Sequence, residues 1–183
     1  MKFTLSDAEK LLKEYTTNDF LLKHAYSVKS AMESYSEIFG GDREKWGITG
    51  LLHDFDYEKY PEEHPFKGAE ILRDMGVDEE IVNAILSHAS HTNVPRETDM
   101  AKALFAVDEL TGLILAVSFV MPDKSIKSVK VKSVKKKLKD KAFARKVNRE
   151  EIYLGVEELG VDLTDHIERV LNAMKGIAHI IDG

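Results

Sequence analysis

His53 and Asp54 stand side by side, with further imidazoles at His24, His64 and His88 and a second carboxylate at Asp108. Four imidazoles and two carboxylates suffice to hold two divalent ions that share one carboxylate. If Asp54 gives one oxygen to each ion, the ions lie about 3.5–4 Å apart, the spacing of two-metal hydrolytic centres. Water bridging such ions is a hydroxide near neutral pH and can attack phosphorus. The chain has no cysteine, which excludes thiolate ligands and disulfides. Nitrogen and oxygen donors without sulfur suit iron, manganese, zinc, cobalt or nickel rather than calcium.

These residues need helices to position them, and almost every segment reads as helix. Ser6 and Glu9 form a capping-box pattern ahead of a short helix. A longer helix from Asn18 to Phe39 carries His24 among Leu21, Ala25, Val28 and Met32, and Gly40 ends it. Asp42 caps a helix that runs through Leu52 into His53-Asp54. Two adjacent side chains cannot share a helical stripe, but where a helix ends the chain turns and both can face one ion. Phe55 to His64 reads as a loop, and Pro65 suits the first position of a helix that Gly76 closes. Asp78 caps a helix with Ile81, Ile85 and His88, and an apolar helix from Asp99 to Val120 holds Asp108. Its apolar stretch, Leu110 to Met121, is too short to span a bilayer and reads as buried.

Beyond Pro122 the pattern is less regular. Ser125 to Val131 alternates and is expected to be extended, while Ser133 onward reads as helix. Asn148 caps a helix to Leu159, and a last helix runs from Asp162 to Ile180. The expected fold class is all-α: a helical core over residues 1–121 and a helical extension over 122–183 packed on it.

The 183 residues carry a net charge of −6, but the stretch Lys124–Arg149 holds twelve Lys or Arg against Asp140 alone; that is +11 locally and −17 elsewhere. An anion is the natural partner of such a stretch, and its lysines, Lys135 among them, are candidates to hold substrate phosphates. Arg96 is a candidate for bidentate phosphate grip. Asp56 and Glu58 follow the metal pair and are candidates to orient an imidazole or relay a proton. Glu109 reads as structural, and His166 and His179 as non-catalytic. Met1 to Glu9 includes Asp7 and Glu9 and lacks the apolar core of a signal peptide, so the expected setting is cytoplasm without a membrane partner.

The ordered set His24, His53-Asp54, Asp108 resembles the HD superfamily of metal-dependent phosphohydrolases over Asp19 to Val120. His64-Pro65-Phe66-Lys67-Gly68 resembles the His-Pro-x-x-Gly addition of its two-metal branches, and His88 the further histidine. The resemblance implies an all-helical fold in which His24, His53, Asp54 and Asp108 hold one ion and Asp54, His64 and His88 the second. His91 lies three residues after His88, where some branches have neighbouring histidines, and reads as a loop residue or a donor behind a ligand. The extension resembles that of a branch of hydrolases whose substrates are undefined. The expected activity is a phosphomonoesterase or phosphodiesterase acting on a small phosphorylated metabolite or nucleotide. Two alternatives stay open, because fold does not settle chemistry. One is a di-iron oxygenase of the same fold. The other is a metal-stabilised module that binds nucleic acid or protein through its basic stretch, although no motif for reading nucleic acid is present.

Overall fold

The structure is a computed structural model that describes residues 2–183. Among the described residues there are ten α-helices and no strand. They are α1 (Leu5–Tyr15), α2 (Asp19–Phe39), α3 (Arg43–Leu52), α4 (Phe66–Asp74), α5 (Glu79–His88), α6 (Asp99–Val120), α7 (Val131–Lys139), α8 (Arg149–Leu159), α9 (Leu163–Lys175) and α10 (Ala178–Ile181). The all-α class expected from the sequence is the class found.

Capping residues set most of the boundaries. Asn18, Asp42, Asp78, Asn148 and Asp162 each accept from a backbone N–H in the first turn of the helix that follows. The first helix departs from the expectation. Its capping box is Thr4–Asp7, two residues upstream of Ser6–Glu9, with the Asp7 carboxylate accepting from Thr4 N at 2.9 Å. Two other readings are corrected. Ser125–Val131 is not extended but holds a short 3₁₀ turn at Ile126–Ser128, with Ile126 and Val129 buried. The last helix breaks at Gly176, so α9 and α10 are separate.

The α6 helix is the axis on which α2, α5, α7, α8 and α9 pack. Its 22 residues make it long and apolar enough to cross a membrane by composition alone, contrary to the estimate from its shorter apolar stretch. Here 67% of its most apolar window is buried within the protein's own core, so its apolar surface is already covered. One buried cluster runs from Ala8 to Ile181, so residues beyond Pro122 share the core of those before it.

Two close approaches draw the bundle tight. A Cβ at Gly50 would stand 2.9 Å from Val28 O and from Lys29 Cα, so α3 lies directly on the α2 backbone. A Cβ at Gly155 would stand 2.7 Å from Ala106 Cα, which seats α8 on α6 just before Asp108.

A buried histidine joins three helices. His166 on α9 donates from Nε2 to Ala106 O on α6 at 2.8 Å, and its Nδ1 accepts from the Tyr35 hydroxyl on α2 at 2.5 Å. Burial drives the His166 imidazole down to about 4, because a charge there would lose its water. The imidazole is therefore neutral when folded but binds a proton near 6.5 when unfolded. The sign follows: the unfolded state takes up protons first, so this contribution is complete above 6.5 and is lost as pH falls toward 4. The loss amounts to about 3 kcal/mol. His166→Phe should lower stability by about 1–3 kcal/mol at neutral pH, since Tyr35 and Ala106 lose their partner. The difference between wild-type and variant denaturation curves should shrink as the pH falls through that window; a constant difference would refute the assignment.

Candidate metal centre

Five elements deliver the candidate ligands to one place. His24 comes from α2, His53 and Asp54 from the end of α3, and His64 from the turn before α4. His88 comes from the last residue of α5 and Asp108 from the middle of α6. His53 is still helical in backbone, and the chain turns immediately after it. Thus His53 Nε2 and Asp54 Oδ2 converge to 3.1 Å although the residues are adjacent.

The donors form two nests that meet at Asp54. In the first, His24 Nε2 lies 3.0 Å from Asp108 Oδ1 and 3.7 Å from Asp54 Oδ2. His53 Nε2 lies 3.2 Å from both His24 Nε2 and Asp108 Oδ1. In the second, Asp54 Oδ1 lies 3.1 Å from His64 Nε2 and 3.2 Å from His88 Nε2. Within each nest every ligand atom is within 4.8 Å of the others. Donors about 2.1 Å from a common ion and at right angles to one another are about 3 Å apart, so these spacings fit a shared divalent ion.

The back of each imidazole is pinned. His53 Nδ1 donates to Gly50 O at 2.7 Å, and His88 Nδ1 donates to Ile85 O. His64 Nδ1 meets Asp56 Oδ1 at 2.6 Å. His24 Nδ1 lies 3.3 Å from Thr111 Oγ1, whose own hydroxyl donates to Asp108 O at 2.7 Å. Each partner is an acceptor, so an Nδ1–H is held at the back of the ring and Nε2 faces inward, where it can meet an ion once it has given up any proton it carries. This is the way metal-binding histidines are held. At these distances the nitrogen and carboxylate atoms share either a proton or a cation.

The electrostatics agree. Burial opposes a charge on His53, yet Asp54 and Asp108 overcome it and raise the imidazole well above its usual value. Burial likewise opposes a charge on His64, but Asp54 and Asp56 carry it to about 9. Against burial, the facing histidines hold Asp54 and Asp108 well below the usual carboxylate range. The cluster attracts positive charge.

The remaining candidates divide. Asp56 is 1% exposed; one oxygen accepts from His64 Nδ1 and the other from Gly68 N at 2.7 Å. It positions a ligand rather than meeting substrate. Glu58 instead caps the start of α2, accepting from Thr17 N and Asn18 N. His91 donates from Nε2 to His64 O at 3.2 Å, behind the ligand and outside the nests.

Two expected phosphate contacts are corrected. Arg96 is consumed by Glu158, at 2.7 and 2.9 Å, by Ser87 O and by the Phe105 face, and it does not line the cleft. Lys135 donates to Thr164 Oγ1 at 2.9 Å on the α7–α9 side, also away from the cleft.

The basic stretch does reach the site, through other residues. A cleft of about 670 Å³ opens over the nests, and Ala144, Arg145, Lys146 and Val147 form part of its wall. Among the described residues, Arg145 and Lys146 make no ion pair within 4.0 Å. Arg149 sets this loop by donating to the carbonyls of Lys137, Leu138, Asp140, Phe143, Ala144 and Val147. That grip holds Ala144 in the left-handed region at φ 47, which is unfavourable for a residue with a Cβ. Glu109, read from sequence as structural, also lines the cleft while accepting from Asn148 N at 2.9 Å. Burial and the charge of Asp108 push its carboxyl up to about 7. The local sequence around Arg145 and Lys146 carries no mark that separates them from the other lysines. For Glu109 the signal was its neighbour Asp108.

An all-α bundle with a His/Asp cluster at its centre is a metal-site architecture. The family model for the HD domain matches residues 21–113, just over half of the chain, and the chain belongs to that family of metal-dependent phosphohydrolases. Ribonuclease Y of Mesoplasma florum is 32% identical over 96 residues, which is 50% of this chain and 18% of that protein. The chain therefore spans less than a fifth of that relative's length. No solved structure matches.

Two outcomes test the centre. Asp56→Asn can serve only one of its two donors, so metal affinity of the His64/His88 nest should fall about 10- to 100-fold, with the other nest less affected. A stepwise metal titration followed by calorimetry reads both. Loading must also displace the protons held by His53 and His64, so affinity should rise with pH up to about 9. The rise should be about tenfold per pH unit for each proton displaced. An affinity independent of pH would show that the imidazoles are not ligands.

Proposed function

We propose that the chain is a phosphohydrolase that uses two divalent transition-metal ions to cleave a small phosphomonoester or phosphodiester. One observation carries the reading. The two oxygens of Asp54 face different nests, Oδ2 toward His24, His53 and Asp108, and Oδ1 toward His64 and His88. A carboxylate used this way joins two cation sites, whereas a single structural site has no need for the second nest.

When bound, such ions supply Lewis acidity toward phosphate oxygens and a water acidified to the neutral range. The chain's own residues do the rest. The pinned imidazoles keep their Nε2 atoms aimed inward before any ligand arrives, so little reorganisation remains. Arg145 and Lys146 bring positive charge to the cleft wall, where a phosphate would enter. The cleft has the volume of a small-ligand pocket, which favours a metabolite or nucleotide over a polymer. The family and the His/Asp cluster support hydrolysis over oxygen chemistry, and a cytoplasmic setting is part of the same proposal.

Asp54→Ala tests it. Metal content should fall by at least one ion per chain, and phosphate release from a phosphoester panel should drop by about 10³-fold or more. A variant that keeps both ions and full turnover would remove Asp54 from the centre. Oxygen uptake dependent on an organic substrate, without phosphate release, would redirect the assignment to an oxygenase.

A further inference from the structure

Between Met100 and Ser118 the α6 helix is buried except at Lys102, Asp108, Glu109, Gly112 and Ala116. The last four line the cleft. Asp108, Gly112 and Ala116 recur at intervals of four and form one stripe that leads away from the metal nests. On the facing helix, Phe20 precedes His24 by the same interval. The cleft thus continues from the nests into a groove walled by Phe20, Leu21, Gly112, Ala116, Ala144 and Val147. Those six side chains offer no hydrogen-bonding group, although Arg145 and Lys146 stand between Ala144 and Val147 on the same loop. The half-exposed ring of Phe20 lies 6.2 Å from that of Phe119 at the outer end.

Gly112 has no packing reason to be glycine. A Cβ there would have nothing within 4 Å, in contrast to Gly50 and Gly155, whose Cβ atoms would strike backbone. Glycine is a poor residue for the middle of a helix, and this helix is otherwise apolar and continuous. The missing side chain opens space in the groove and serves nothing else in the fold.

We propose that this groove is a subsite for an apolar, aromatic body carried on the leaving group of the phosphoester, with Gly112 setting its depth. The inference rests on the phosphohydrolase reading and adds a substrate class to it. The phosphate end meets the nests, and the ring lies along the Gly112–Ala116 stripe against Phe20. Arg145 and Lys146 are left to the phosphate, and the six apolar side chains meet the ring.

The test compares two non-hydrolysable probes, 1-naphthylphosphonate and methylphosphonate, by calorimetry on the metal-loaded protein. The naphthyl compound should bind about tenfold tighter or more, from apolar burial. Gly112→Leu should return that ratio to about one, and Gly112→Ala should lie between. Metal content and thermal denaturation show that the variants fold. A wild-type ratio near one, or a ratio that survives Gly112→Leu, overturns the subsite. Adenosine monophosphate binding as tightly as the naphthyl probe overturns its apolar character. If neither phosphonate binds the loaded protein, the phosphoester reading and the subsite fail together. If the ratio behaves as expected but 1-naphthyl phosphate and methyl phosphate are not turned over, only the hydrolysis reading fails.

Discussion

Two carboxylates brought within reach of four imidazoles, out of bulk water, set the terms for this structure. Asp54 and Asp108 are both largely screened from solvent, and His53 is fully buried between them. Uncompensated buried charge is destabilising by several kcal/mol, so the cluster must take up cations or protons. Protons on His53 and His64 meet the demand when no ion is bound, and they sit on the same inward nitrogens that an ion would use. A divalent ion held by the His/Asp cluster would replace those protons at the same atoms. The cluster therefore exchanges protons for metal at one set of atoms, which ties the stability of these buried groups to what they could bind.

The scaffold meets that requirement by holding five elements in close register. Gly50 lets α3 rest on the α2 backbone, which brings the His53-Asp54 turn to the level of His24. Gly68 admits Asp56: its N–H binds one carboxylate oxygen, and a Cβ there would stand 2.9 Å from Asp56 Cγ. The residues after Pro122 are part of the same construction. α8 seats on Ala106 through Gly155, and Glu109 holds Asn148 N, so the loop before α8 is anchored within a turn of Asp108. Arg149 then folds that loop by reaching six carbonyls, the two N–H groups of Nη2 being shared among three of them. A guanidinium has five donors in a rigid fork, which suits it to organise a loop with no regular structure of its own.

The sequence made the helices legible where caps and periodicity agreed, as at Asn18, Asp42, Asp78 and Asn148. It misled where a second cap competed: Thr4 with Asp7 outdid Ser6 with Glu9, which differ little in local chemistry. The alternation of Ser125 to Val131 suggested a strand, but Ile126 and Val129 are buried by long-range packing that alternation alone does not report. The nests were legible because His24, His88 and Asp108 sit on apolar helical faces and His53-Asp54 at a helix end, while His64, in the turn before α4, stood out only by its His-Pro-x-x-Gly context. Arg96 and Lys135 were not, since the value of a cation depends on which acid or hydroxyl claims it first. Glu158 and Thr164, distant in sequence, claimed these two. Arg145 and Lys146 are available to the cleft for the converse reason: the Arg149 grip presents their loop, and no acid within it answers them.

This division explains why reaction class and substrate class differ in how far sequence reveals them. The His/Asp cluster is built mostly from side chains on buried helices, where spacing, polarity and burial constrain one another and leave a strong pattern. The far end of the cleft is built from absences and from a loop. A glycine with open space before it, an alanine one turn on, and two cations held up by backbone carbonyls leave almost no signature in residue type. Their meaning comes only from the stripe they share with Asp108 and from the wall that faces them. The same helix thus carries Asp108 in the His/Asp cluster and, one and two turns later, the small residues that line the same cleft.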